Sequence, residues 1–259
     1  MYTNLTENNI YYDFIGQGDK IILFLHGWGC KGETFLPIIQ QLPQQYKALI
    51  LDFQNHGRSA APNKPFYVED FAMSVVSLLQ QLELKQVYVV AHSFGARVAC
   101  WVAAHYPELF KKIIITGGAG VVLPKKSGFK FKTAMYKIQK NVLYFFSRFQ
   151  FLQKSIANLQ EALVQKYGSP DYKSLSPSMR KTFVNVIQQD LREYYPLIQQ
   201  STLLIWGSND TETPIDAARI MESLIPDAAV VEFENKGHFA FLEESYRFTK
   251  ILEQFFSED

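Results

Sequence analysis

An open, mostly parallel β-sheet covered by helices on both faces is the fold class the sequence predicts, and three observations predict it. Short apolar runs rich in Ile, Val and Leu recur along the chain without polar alternation, as strands buried on both faces require. Stretches with helical spacing lie between them, exemplified by Phe71, Val75, Leu78, Leu79 and Leu82. The alternation of strand and helix is interrupted once, by a long stretch without a strand-like run, which reads as a helical insertion.

Taken in order, "KIILFLH" (20–26) and "KALILDF" (47–53) supply the first two buried strands, and the Phe71 to Leu82 pattern supplies a helix after them. "QVYVVAH" (86–92) is the next strand, followed at once by helical spacing at Val98, Trp101 and Val102. "KKIIITGG" (111–118) follows. Residues 121–200 then carry three helical segments, with Ser169-Pro170 and Ser176-Pro177 as turns or helix starts. "TLLIWG" (202–207) and "AVVEFE" (229–234) return to strand, and a terminal helix closes the chain. The expected organisation is therefore a core domain of residues 1–120 and 201–259, with residues 121–200 inserted as a helical cap.

With 47 % hydrophobic and 20 % charged residues, the 259-residue chain has ample material for a core and does not read as disordered. A net charge of +1 gives no reason to expect nucleic acid as a partner. Cys30 and Cys100 are far apart and share no zinc or redox spacing, so two reduced thiols and no metal are expected. No segment approaches 18 uninterrupted apolar residues and the start lacks a secretory pattern, so no spanning segment and a cytoplasmic location are expected.

The stretch "YVVAHSFGARVA" (88–99) drives a buried strand straight into Ser93 and then into a helix. Strands ordinarily end in residues chosen for turn geometry. Here Ala91 and Gly95 keep both flanking second positions small, which is what a nucleophile elbow needs: a turn too tight for larger side chains, holding one hydroxyl clear of the sheet. The following helix begins at that serine, so its amides and positive end face any developing negative charge.

Three further segments stand in the order this chemistry requires. In "LHGWG" (25–29), two glycines around Trp28 let its amide point, with that of Phe94, at a substrate oxyanion. In "WGSNDTETP" (206–214), Asp210 follows a strand by a few residues, where active sites of open α/β sheets collect. Glu212 and Asp216 are the substitutes for it, although capping at a helix start accounts for both. In "NKGHFAFLEE" (235–244), His238 lies just past a strand and is the best placed of five histidines to act as base. Structural roles are expected for the other four. His92 adjoins the serine but points to the opposite face, His26 braces the Trp28 loop, His56 lies in a turn and His105 ends a helix.

The order Ser93, Asp210, His238 is that of α/β-hydrolases, and the whole chain resembles an α/β-hydrolase-fold serine hydrolase with a helical cap, similar to small bacterial carboxylesterases. "DFQNHGRS" (52–59) resembles the family's D-x-R-x-H-G-x-S segment, with Gln54 in place of the usual Arg. The resemblance implies hydrolysis of a small acyl ester through a Ser93-His238-Asp210 triad and a Trp28/Phe94 oxyanion hole, without a cofactor. A thioesterase or a carbon–carbon bond hydrolase shares these parts, and an inactive binding protein on the same fold is the reading from another class. Haloalkane dehalogenases and epoxide hydrolases of this fold carry an aspartate at the elbow, unlike Ser93. Residues 121–160 hold seven lysines and one arginine, no acidic residue and interleaved aromatics such as Phe129, Phe131 and Tyr136. They read either as a solubilised cap face or as a weak docking site for an anionic partner.

Overall fold

The computed structural model of the chain describes residues 2–5, 8–123 and 175–257, together with positions 158, 161, 162, 165, 166, 172 and 173. The first two helical segments expected in the insertion, and the lysine-rich run with them, lie almost wholly outside the described residues.

The described chain divides into two compact units, Met1–Val122 with Asn185–Asp259, and Leu123–Val184. Residues 185–200 group with the first unit.

That first unit is built on an 8-stranded sheet. Its strands are β1 (Tyr2–Leu5), β2 (Asn8–Ile15), β3 (Lys20–Leu25), β4 (Tyr46–Asp52), β5 (Val87–His92), β6 (Phe110–Thr116), β7 (Thr202–Gly207) and β8 (Ala228–Phe233), in the spatial order β1-β2-β4-β3-β5-β6-β7-β8. From β4 to β8 every pairing is parallel. β2 pairs antiparallel with β4 and with β1, so the apolar runs form the parallel part and β1 and β2, which carry no such run, form an antiparallel edge.

Alternate residues of each buried strand serve opposite cores, as the two-residue period of a strand requires. Leu23, Leu25, Val89 and Ala91 face one cluster, whereas Ile22, Phe24, Tyr88 and Val90 face the other. The first cluster is closed by α2 (Val68–Gln81), α3 (Phe94–His105) and α5 (Ile215–Leu224) through Phe71, Val75, Val98 and Met221. The second is closed by α1 (Leu36–Ile39), α6 (Ala240–Glu243) and α7 (Ser245–Ser257) through Ile38, Phe241, Phe248 and Phe256. This is the two-sided layer predicted from the sequence.

α4 (Pro177–Gln188) begins at the Ser-Pro pair read as a helix start. The Met179 amide donates to Ser176 Oγ at 3.4 Å, and proline occupies the first helical position, where no amide is needed. Within the second unit, Arg180 holds Glu161 through bonds of 2.6 and 2.9 Å. Among the described residues no helix is long and apolar enough to cross a membrane.

Candidate active site

Ser93 follows the last residue of β5 and precedes the first of α3, with φ 50° and ψ −111°. Positive φ is costly for a residue with a Cβ, so the surrounding backbone must hold it. Three hydrogen bonds do so. The Ser93 amide donates to Thr116 O at 3.2 Å, and the Ser93 carbonyl accepts from Ala96 N at 3.1 Å and Ala119 N at 3.0 Å. A Cβ on Gly95 would lie 2.2 Å from the Leu25 carbonyl oxygen, so only glycine lets α3 start this close to the end of β3. Ala91 is fully buried, its methyl group accommodated in the core where a family glycine would stand.

The Trp28 loop comes to the same place. Cys30 N donates to Gly27 O at 3.1 Å and Gly29 has φ 74°, a turn in which Trp28 holds the second position and its amide is not used by the turn itself. A Cβ on Gly27 would sit 3.3 Å from the Ser93 Cβ and 2.8 Å from His92 Nδ1, so glycine lets this loop lie against the serine. Phe94 is the first residue of α3, and its amide therefore has no partner inside the helix. Behind the loop, His26 Nε2 accepts from Phe53 N at 2.9 Å while Nδ1 donates to Gly27 O at 2.7 Å. Burial, with the nearby His56 adding to it, keeps His26 neutral well below the ordinary histidine range.

Segment 52–59 is structural. Asp52 accepts from the amides of Gly32 and Arg58, each at 2.8 Å. Gln54, where the resembled motif has Arg, is buried and donates to Ser74 Oγ on α2 at 2.7 Å.

Asp210 and His238 are brought into direct contact. His238 Nδ1 donates to Asp210 Oδ2 at 2.8 Å, with the carboxylate side chain fully buried and the imidazole 8 % exposed. Asp210 Oδ1 accepts from the amides of Glu212 and Thr213, both at 2.9 Å. Burial pushes the Asp210 carboxyl up, but the bonds from His238 and Thr213 outweigh it and hold it below the usual carboxylate range. The proton on Nδ1 follows from this arrangement, since an ionised carboxylate can only accept.

Three contacts were not read from the sequence. Thr213 Oγ1 stands 2.8 Å from Asp210 Oδ2, 3.0 Å from Gly117 O and 3.2 Å from His238 Nδ1. His92, although on the opposite face of β5 from its neighbours as expected, reaches the His238 carbonyl with Nε2 at 3.2 Å. Their rings lie 4.8 Å apart, and burial, then the charge of His238, lowers His92 to about 3. Glu212 does not cap a helix: its Oε2 lies 3.6 Å from His238 Nε2, with the Glu212 side chain 66 % exposed. Asp216 is the second residue of α5, remote in role from the Asp210–His238 pair. The Ser93 hydroxyl makes no hydrogen bond among the described residues, so the serine and the imidazole sit at one end of the sheet without being joined. The thiol of Cys100, buried and pushed up to about 12, is inert.

Comparison with known proteins gives a consistent picture. A pimeloyl-[acyl-carrier protein] methyl ester esterase of Aliivibrio salmonicida is 25 % identical, covering 95 % of each chain. A 2-hydroxy-6-oxo-2,4-heptadienoate hydrolase of Pseudomonas putida is 22 % identical, covering 95 % of this chain and 91 % of its own. Among solved structures, an esterase from Exiguobacterium antarcticum aligns with a TM-score of 0.72 at 23 % identity, covering 96 % of this chain and 95 % of that one. The family model described as alpha/beta hydrolase fold matches residues 20–245, and with that span of the chain matched, this protein belongs to the α/β-hydrolase-fold family.

Proposed function

We propose that the protein is a serine hydrolase of carboxylic esters. The single observation that carries the reading is the buried Asp210–His238 pair at 2.8 Å, at the sheet end where the strained Ser93 turn also lies. In this reading His238 Nε2 takes the proton of the Ser93 hydroxyl as its oxygen attacks the acyl carbon. Asp210 keeps the Nδ1 proton in place and stabilises the imidazolium. The amides of Trp28 and Phe94 receive the oxyanion. His238 then returns its proton to the departing alkoxide, leaving an acyl-serine and a free alcohol. Water, deprotonated by the same imidazole, releases the acid. The absent Ser93 bond is compatible with this sequence, because such bonds often tighten only when substrate is bound.

The inserted unit takes the part of a cap in the same proposal. The relative named as a heptadienoate hydrolase favours carbon–carbon bond cleavage as the second reading. Turnover of p-nitrophenyl esters of graded chain length, beside a carbon–carbon bond substrate, separates the two. Ser93→Ala is expected to lose about 10⁴- to 10⁶-fold in kcat while remaining folded. Undiminished turnover in that variant sinks the mechanism, and a fluorophosphonate should label Ser93 in the wild type alone.

A further inference from the structure

The Glu212 carboxylate is the one acidic group recorded against Nε2 of His238 among the described residues, 3.6 Å away on the nitrogen opposite Asp210. Its position differs in kind from that of Asp210. Asp210 is buried and tied by bonds from His238 and Thr213 and from the amides of Glu212 and Thr213. Glu212 has an exposed side chain, and no hydrogen bond fixes its carboxylate among the described residues. A carboxylate so placed faces the space in front of Nε2, 3.6 Å from that nitrogen.

In the mechanism above, on which this inference rests, Nε2 delivers its proton to the oxygen of the departing alcohol. The alcohol portion of the ester must therefore lie against Nε2, and Glu212 lies beside the same nitrogen. That mechanism needs Nε2 free to accept the Ser93 proton, so in it the imidazole does not cancel the carboxylate when the ester arrives. His92, whose ring lies 4.8 Å from that of His238, does not cancel it either, being lowered to about 3.

We infer that Glu212 selects substrates by the charge of their alcohol: esters of cationic alcohols, such as quaternary amino alcohols, are preferred, and esters of anionic alcohols are disfavoured. Two unit charges several ångströms apart at a partly exposed site change a rate by about tenfold, an effect that salt screens. A cationic and an anionic alcohol would thus differ by roughly a hundredfold at low ionic strength.

The test uses three esters of one acid, the acyl chain being that of the fastest p-nitrophenyl ester. The alcohols are choline, its neutral isostere 3,3-dimethylbutanol, and glycolate. Release of acid is followed by pH-stat in wild type, E212Q and E212K, at low and high salt. The expected order of kcat/KM in wild type is choline, then neutral, then glycolate. E212Q should bring the three within a few fold of each other, and E212K should invert the order. Turnover of the neutral ester with the same charge ratios in wild type and E212Q overturns the assignment of Glu212 while leaving the esterase reading intact. Failure of every ester, together with no fluorophosphonate labelling of Ser93, overturns the esterase reading and this inference with it.

Discussion

Thr213 joins both members of the Asp210–His238 pair through one hydroxyl, which has a single proton to give. It donates either to Asp210 Oδ2 at 2.8 Å or to Gly117 O at 3.0 Å, and in both cases it limits how the carboxylate can turn. Thr213→Val keeps the shape and removes the bond, so kcat should fall about tenfold with KM nearly constant, at a stability cost of about 1–3 kcal/mol. Steady-state kinetics and thermal denaturation of the same preparation check both parts. Asp210→Asn goes further, because an amide cannot hold the Nδ1 proton as a carboxylate does. A loss on the order of 10⁴ in kcat is expected, whereas Asp216→Asn should stay close to wild type. A dead Asp216→Asn beside an active Asp210→Asn shows that the acid is misassigned. Side-chain direction explains what was hidden at this scale. Spacing alone offers Glu212 as a substitute acid or a helix cap and does not single out Thr213, and only the fold of 207–214 around the carboxylate turns one toward each imidazole nitrogen.

At the scale of elements, the parallel strands were legible because burial on both faces leaves no room for polar alternation. "KIILFLH" and "YVVAH" announce themselves in that way. β1 and β2 do not: "YTNL" and "NNIYYDFI" mix polar and aromatic residues, as an antiparallel edge partly open to water permits. The elbow was legible because it is a steric device, and sterics leave small residues behind. Its two kinds of glycine can be told apart by experiment. Gly95 has ordinary φ but no space, its added Cβ meeting Leu25 O at 2.2 Å, so Gly95→Ala should cost roughly 3 kcal/mol or more by forcing α3 off β3. Gly29 has open space but φ 74°, so Gly29→Ala should cost only about 1 kcal/mol. Denaturant midpoints measured under one condition give the comparison, and equal losses would contradict it.

Across the whole molecule, three buried histidines set how the fold responds to acid. His26, His56 and His92 all take up protons less readily than a free imidazole, burial being the leading cause in each. Above the unfolded value of about 6.5 they are neutral in both states and contribute nothing to the pH dependence. As pH falls below it, the unfolded chain gains protons that the folded chain refuses, and stability declines by up to about 1.4 kcal/mol per pH unit for each histidine. For His92 the decline continues to about 3. Asp210, whose carboxyl is held low, adds to the loss only once pH drops through the ordinary carboxylate range. Urea unfolding between pH 7 and pH 4.5 should show this slope, and His92→Asn should reduce it by one proton; a flat profile would refute it. The Leu191 amide donates to the Gly120 carbonyl at 2.9 Å, and Ala119 donates to Ser93 itself. The chain thus leaves the first unit and returns to it within one hydrogen bond's length. For an engineer, those two positions are a splice site: material between them can be exchanged, shortened or borrowed from a relative without asking the sheet-bearing unit to span a gap, since closing such a junction costs little more for a long insert than for a short one.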